Sequence, residues 1–169
     1  MILNPMLLLF ESFDSYAQPS ISDEVSISVI ATIVDSESIS LNIITLQNLT
    51  IRPEDILAGE NEIYVSPINA ENAGLIFLKG NPNTGVNIYY QAEEFIYSIN
   101  GDDYVKISYV MSGYEERNQQ ASTLFETNDV FIALNENGEY FLWIGGLINT
   151  GNAGAGLYSG DFVFEISNL

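Results

Sequence analysis

The chain has no cysteine and no histidine, and only four basic residues, Arg52, Lys79, Lys106 and Arg117, among 169 positions. Without cysteine there are no disulfides, no thiolate nucleophile, and no Cys-ligated zinc or iron–sulfur site. Without histidine the commonest general base and metal ligand is missing, and a Ser-His-Asp triad cannot be built. Against 23 acidic residues the four cations leave a formal charge of −19. Such a surface repels phosphate backbones and has no basic patch to release counterions, so nucleic acids and anionic lipid are excluded as partners. The same charge favours solubility and attracts cations. Long hydrophobic runs are also absent: Met6–Phe10 is far too short to span a membrane, so no direct membrane insertion is expected.

Hydrophobic residues make up 47 % of the chain, enough for the core of one domain of ordinary size. The apolar run Met6–Phe10 is followed by Ser15 and Ala17, a small-x-small box ahead of Gln18. This reads as a signal peptide over residues 1–17. It is atypical, since no Lys or Arg precedes the run and Glu11 and Asp14 follow it; an N-terminal tail is the alternative. Residues 18–24 then form a polar leader and residues 25–169 a single domain, secreted to the extracellular face of the cell.

Period-2 patterning dominates from residue 25. Val25, Ile27, Val29, Ala31 and Ile33 fall on one face, with Ser26, Ser28 and Thr32 on the other. Ile39, Leu41 and Ile43 repeat the pattern after a bend at Asp35-Ser36-Glu37. Further strands are expected over Ile63–Val65, Leu75–Leu78, Val86–Tyr90, Phe95–Ile99, Tyr104–Met111, Val130–Leu134, Tyr140–Ile144 and Tyr158–Ile166. Gly80-Asn81-Pro82-Asn83, Asn100-Gly101 and Asn137-Gly138 supply turn chemistry between them. Helical signals are confined to Pro53-Glu54-Asp55 and Glu115–Ala121. Many short strands without interleaved helices predict an all-β, Ig-like, two-sheet antiparallel β-sandwich. Ile27, Val29, Leu41, Phe77, Ile88, Trp143, Phe162 and Phe164 are its expected core, with Leu142 and Ile144 competing with Trp143 for the inner face.

The stretch Gly138–Ile166 is the most distinctive. A strand ends in Gly145-Gly146, and a Gly-rich loop leads through Gly156-Leu157-Tyr158-Ser159-Gly160 into a closing strand. A phosphate-binding loop would need a helix after it, and here a strand follows. Gly145, Gly146, Gly156 and Gly160 are therefore expected to serve backbone geometry, with no bound cofactor. Gly145-Gly146-Leu147 and Gly156–Phe164 resemble the C-terminal signature of an uncharacterised family of small secreted bacterial proteins, with a Gly-Gly-x-Leu strand and a Gly-x-Tyr-Ser-Gly corner. Ala31–Leu41, Leu75–Gly80 and Val86–Tyr89 resemble its earlier strands in order. Leu49-Thr50-Ile51 departs from it, since relatives carry an aromatic and Gly there. The tail is also similar to spore coat protein U and chaperone–usher pilin domains. That resemblance implies an Ig-like fold, an extracellular location, and assembly by donation of a strand to a neighbour.

Val25, Ile27, Val29, Ala31 and Ile33 are accordingly candidates for an inter-subunit strand, which adds main-chain hydrogen bonds and fills pockets with alternate side chains. The alternative is an ordinary first strand paired within its own domain. The carboxylate pairs Glu93-Glu94 and Glu115-Glu116 are adjacent in sequence, so on a strand they point to opposite faces and do not converge on a substrate. No catalytic residues and no metal ligands are assigned. Asn100-Gly101-Asp102-Asp103 and Asn135-Glu136-Asn137-Gly138-Glu139 offer oxygens to Ca²⁺ but match no EF-hand spacing, and are read as solvated turns. Tyr89, Tyr90, Tyr97, Tyr104, Tyr109 and Tyr114 could stack on sugars or simply serve as strand residues. The expectation is a non-enzymatic cell-surface structural protein, self-associating into a pilus-like filament or coat or joining other surface proteins. The alternative is a monomeric carbohydrate-binding or adhesin module.

Overall fold

A computed structural model describes residues 25–33, 40–51, 61–99, 101, 103–151, 153 and 157–168. The expected signal peptide (1–17) and leader (18–24), the bend at Asp35–Glu37, Pro53–Asp55 and Gly156 lie outside the described residues.

The chain is an all-β, two-sheet sandwich. Its strands are β1 (Val25–Ile33), β2 (Asn42–Gln47), β3 (Leu49–Ile51), β4 (Glu62–Val65), β5 (Gly74–Lys79) and β6 (Gly85–Tyr90). They continue with β7 (Glu93–Tyr97), β8 (Tyr104–Tyr114), β9 (Thr123–Leu124), β10 (Asp129–Ala133), β11 (Glu139–Asn149) and β12 (Tyr158–Asn168). One sheet runs β10-β6-β12-β1-β3 and the other β2-β5-β11-β8-β7, with β4 added to β11 and β9 to β8. Pairing is antiparallel, apart from one parallel pair, β1 on β12. β2 and β3 are nearly continuous but lie in different sheets, so the chain crosses between layers at Asn48.

Alternation along the strands delivers the core. Ile76, Leu78, Ile107, Met111, Leu142, Ile144 and Ile148 from one sheet meet Leu49, Ile51, Val86, Ile88, Phe162, Phe164 and Ile166 from the other, all fully or almost fully buried. The Asn135–Gly138 turn joins β10 to β11. Asn135 Oδ1 accepts the N–H groups of Asn137 and Glu139, and Gly138 takes φ +75° where a Cβ would strike the Gly80 carbonyl.

β11 differs from the expectation in two ways. It does not end at Gly145-Gly146 but runs on to Asn149, with its β8 register unbroken. And Leu142 and Ile144 take the inner face, so Trp143 points outward. Trp143 is nonetheless only 4 % exposed, because the outer face carries a second apolar cluster of Leu75, Phe141 and Trp143, backed by Phe77 and Tyr114. Phe77 and Phe141 stack at 4.8 Å, so Phe77 also belongs to this cluster and is only partly buried. Leu41 packs partly buried against the main core. Ile27 and Val29 side chains lie outside the described set. A near-continuous apolar strand such as Tyr140–Ile144 is satisfied only by cover on both faces.

That outer cover is pinned by polar contacts. β5 flanks β11 over Glu139–Ile144 and β4 over Gly146–Asn149, and between them Ser66–Ala73 leaves the sheet. The carbonyl of Pro67 accepts from Ser112 Oγ (3.2 Å) and Gln119 Nε2 (3.1 Å), and Gln119 also donates to the Ala70 carbonyl. Gln119 stands on a short 3-10 turn, Gln119–Ala121. On the other flank Gln47 Nε2 donates to the carbonyls of Glu71 and Ala73. Trp143→Ala empties the second cluster and is expected to lower unfolding free energy by about 3–5 kcal/mol in urea titrations. A loss below about 1 kcal/mol would contradict a packed outer face.

Candidate functional site

The five residues singled out on β1 lie in the first sheet between its central strand, β12, and the short edge strand β3. The parallel ladder pairs Val25 with Tyr158, Ile27 with Gly160, Val29 with Phe162, Ala31 with Phe164 and Ile33 with Ile166. Each therefore aligns with the inward-facing set of β12, of which Tyr158, Phe162, Phe164 and Ile166 are buried. The intervening Ser26, Ser28, Ile30 and Thr32 align with Ser159, Asp161, Val163 and Glu165, all exposed on β12. On its other side β1 pairs only at Val25–Ile27, with Leu49–Ile51 of β3. β1 is thus the strand that fills the slot between β12 and β3.

Three of the four singled-out glycines stand at close approaches. At Gly145 a Cβ would collide with the Val65 carbonyl oxygen, where the chain leaves β4 for the Ser66–Ala73 excursion. At Gly146 it would lie 2.6 Å from the Ser108 carbonyl oxygen, and at Gly160 it would lie 3.1 Å from Ile96.

The tyrosines separate into distinct environments. Tyr90 and Tyr109 are buried and Tyr114 backs the outer cluster. Tyr89 is exposed on the first sheet, which also exposes Phe131 and Val163. Tyr97 and Tyr104 are opposite each other on the β7–β8 ladder, and with Phe95 they form an exposed ring cluster; the three are 58 %, 52 % and 51 % exposed. Tyr104 meets Phe95 edge-on at 5.2 Å and Tyr97 at 5.9 Å. Beside them Lys106 Nζ binds Glu93 Oε2 at 2.8 Å, and Asn149 Nδ2 donates to Glu62 Oε1. The sequence marks Tyr97 and Tyr104 as candidates but not Phe95 as their partner, because strand pairing rather than sequence proximity brings the rings together.

Glu93 and Glu94 point to opposite faces, as adjacent strand residues must. Glu93, fully exposed, is held below its ordinary pKa by hydrogen bonds from Lys106 and Ser108 and by the Lys106 charge. Glu94 turns toward a small cleft between the sheets, lined also by Tyr90, Tyr109, Phe162 and Glu165. Desolvation raises its pKa, the Asp161 charge adds to this, and the Tyr109 hydroxyl, donating at 3.3 Å, opposes it. Tyr109 is itself raised, by burial first and then by the Glu94 charge. Asn135–Glu139 is the turn that carries the chain from β10 in one sheet to β11 in the other, and its Asn135 Oδ1 is occupied by backbone N–H groups; Asn100 and Asp102 of the other acidic loop lie outside the described residues. Among the described residues no three Asp or Glu are grouped so as to hold a metal ion. No helix among them is long and apolar enough to cross a membrane.

A carboxyl with a raised folded pKa contributes stability that is complete below its unfolded pKa and is lost as pH rises through the folded value. Glu94 thus favours the fold at pH 4 more than at pH 7. Glu94→Gln is expected to raise the melting temperature at pH 7 but not at pH 4. The gain at pH 7 should exceed that of Glu126→Gln, which removes one exposed charge. Equal gains for the two variants in thermal melts would contradict the desolvation of Glu94.

No family model matches the chain, and no curated protein matches it in sequence.

Proposed function

We propose that this chain is a structural subunit of the bacterial cell surface, secreted and assembled with copies of itself through β-strand pairing. The observation that carries the reading is the register of β1, whose apolar positions follow the buried face of β12 along the nine residues of the strand. Take β1 away and β12 becomes an open edge over a core of Phe162, Phe164 and Ile166, while β3 loses its neighbour in the sheet. An uncovered edge of this kind is a template for another strand. The segment that fits it forms ladders only with β12 and β3 among the described residues. The same ladder forms whether β1 comes from the same chain or from a second copy, which is the geometry of strand exchange. The resemblance to spore coat and pilin domains points the same way, and the excess of acidic residues suits an extracellular, soluble surface.

A chain beginning at Asp35 tests the slot. It is expected to aggregate or to lose cooperative unfolding, and a peptide of residues 18–34 added during refolding should restore a soluble, cooperatively unfolding complex. A stable, monomeric truncated chain that ignores the peptide would contradict the reading.

A further inference from the structure

We propose that the outer face of the β7–β8 hairpin is a binding platform for a neutral polysaccharide, separate from the β1 slot on the opposite sheet. Phe95, Tyr97 and Tyr104 hold one another by edge and tilted contacts yet leave about half of each ring open. Three large rings left open on one face make an apolar patch of the kind that marks an interaction site. Phe95 and Tyr104 border a cleft of about 510 Å³ whose other walls carry Asp103, Lys106, Asn149 and Thr150 beside Gly151 and Ala153. Aromatic surface with a few placed polar groups, at this volume, is the make-up of a ligand site.

The chemistry of the patch selects the ligand. A pyranose ring offers a C–H face to an aromatic ring and hydroxyl groups to its surroundings. Here the surroundings are rich in acceptors: the carboxylates of Glu93 and Glu62 stand in the same part of the sheet, and a hydroxyl donating to a carboxylate makes a charge-assisted bond. Charge complementarity excludes acidic glycans. The chain carries −19, and Lys106, the cation at the cleft, is already bonded to Glu93. Nucleobases stack on such rings too, but their phosphates meet the same repulsion. Extent favours a chain over a single sugar: Phe95 and Tyr97 are two positions apart on one strand, about 7 Å. The surface continues past Asn149 and Gly151 to a second hollow at Asn61 and Glu62.

The test is an NMR titration of the isotope-labelled full chain with cellohexaose, mannohexaose and chitohexaose, and with the anionic hexamer of galacturonate. The proposal expects saturable amide shifts in β7, β8 and residues 147–151 with at least one neutral hexamer. It expects a dissociation constant at least tenfold weaker in both Tyr104→Ala and Tyr97→Ala, and unchanged in Tyr89→Ala, whose exposed ring lies on the other sheet. Absence of saturable shifts with all three neutral hexamers would overturn it, as would preference for the galacturonate hexamer or binding by the Tyr104 and Tyr97 variants as tight as that of the unmodified chain. Self-association of the chain that is abolished by Tyr104→Ala would also overturn it, by assigning the rings to a contact between copies.

Discussion

The parallel ladder between β1 and β12 is the interaction on which the sandwich depends. It joins the first described strand to the last, Val25 to Tyr158, a separation of 133 positions (158 − 25). Hairpins such as β7–β8 and β8–β9 close short loops, whereas this ladder closes one of more than 130 positions. Closing a long loop costs entropy before its contacts repay it, so non-local pairing is intrinsically slow. While β1 is out of place, the buried side chains of β12 face an uncovered edge. In the proposed assembly, a second copy's β1 would compete for that edge on chemical terms identical to those of the chain's own. Parallel pairing is also slightly weaker per residue than antiparallel pairing. The strand that covers the β12 edge is therefore held by the most non-local ladder among the described residues.

The second sheet is built on the opposite principle. β11 is buried on both faces over Phe141–Gly146: inward with Leu142 and Ile144, outward in the Trp143 cluster and under the Ser66–Ala73 excursion. Buried Ser112 and Ser122 would be costly if unpaired. Ser122 Oγ donates to Ser112 Oγ at 2.9 Å, and Ser112 in turn donates to Pro67, so the polar atoms under the excursion are satisfied. Gly145 lets the chain cross closely enough to make those bonds. The result is a sheet covered on both faces along the middle of β11 that carries the exposed rings of β7 and β8, packed on a sheet in which β1 lies between β12 and β3.

Much of this was legible in the sequence, and for physical reasons. Period 2 is a strong signal where one face is buried, so β6, β7, β8 and β12 lie close to where alternation puts them. Gly138 sits where the turn between β10 and β11 needs positive φ. The core side of β12 follows from Phe162, Phe164 and Ile166 alone. Where alternation fails, so does the reading. Phe141–Ile144 is apolar throughout, and nothing local says which residues face in; that was decided by Ile76 and Met111 on the neighbouring strands. Gly145-Gly146 reads locally as a strand end, but the glycines answer to carbonyls at Val65 and Ser108, more than 35 positions away. The ring cluster of Phe95, Tyr97 and Tyr104 is likewise a product of pairing, and the parallel sense of β1 on β12 has no local signature.

The absence of cysteine makes the central claim directly measurable. Ser28 and Asp161 are register partners on β1 and β12. Chains carrying Ser28→Cys alone and Asp161→Cys alone, unfolded together, refolded at high concentration and oxidised, bring those two sulfurs together only if β1 of one copy lies on β12 of another. The account predicts a mixed disulfide dimer as the main product, identified by mass spectrometry of the joined peptides and outcompeted by excess unlabelled peptide of residues 18–34. Mixed dimers no more abundant than either homodimer, alongside efficient cross-linking when both substitutions share one chain, would show that β1 never leaves its own domain.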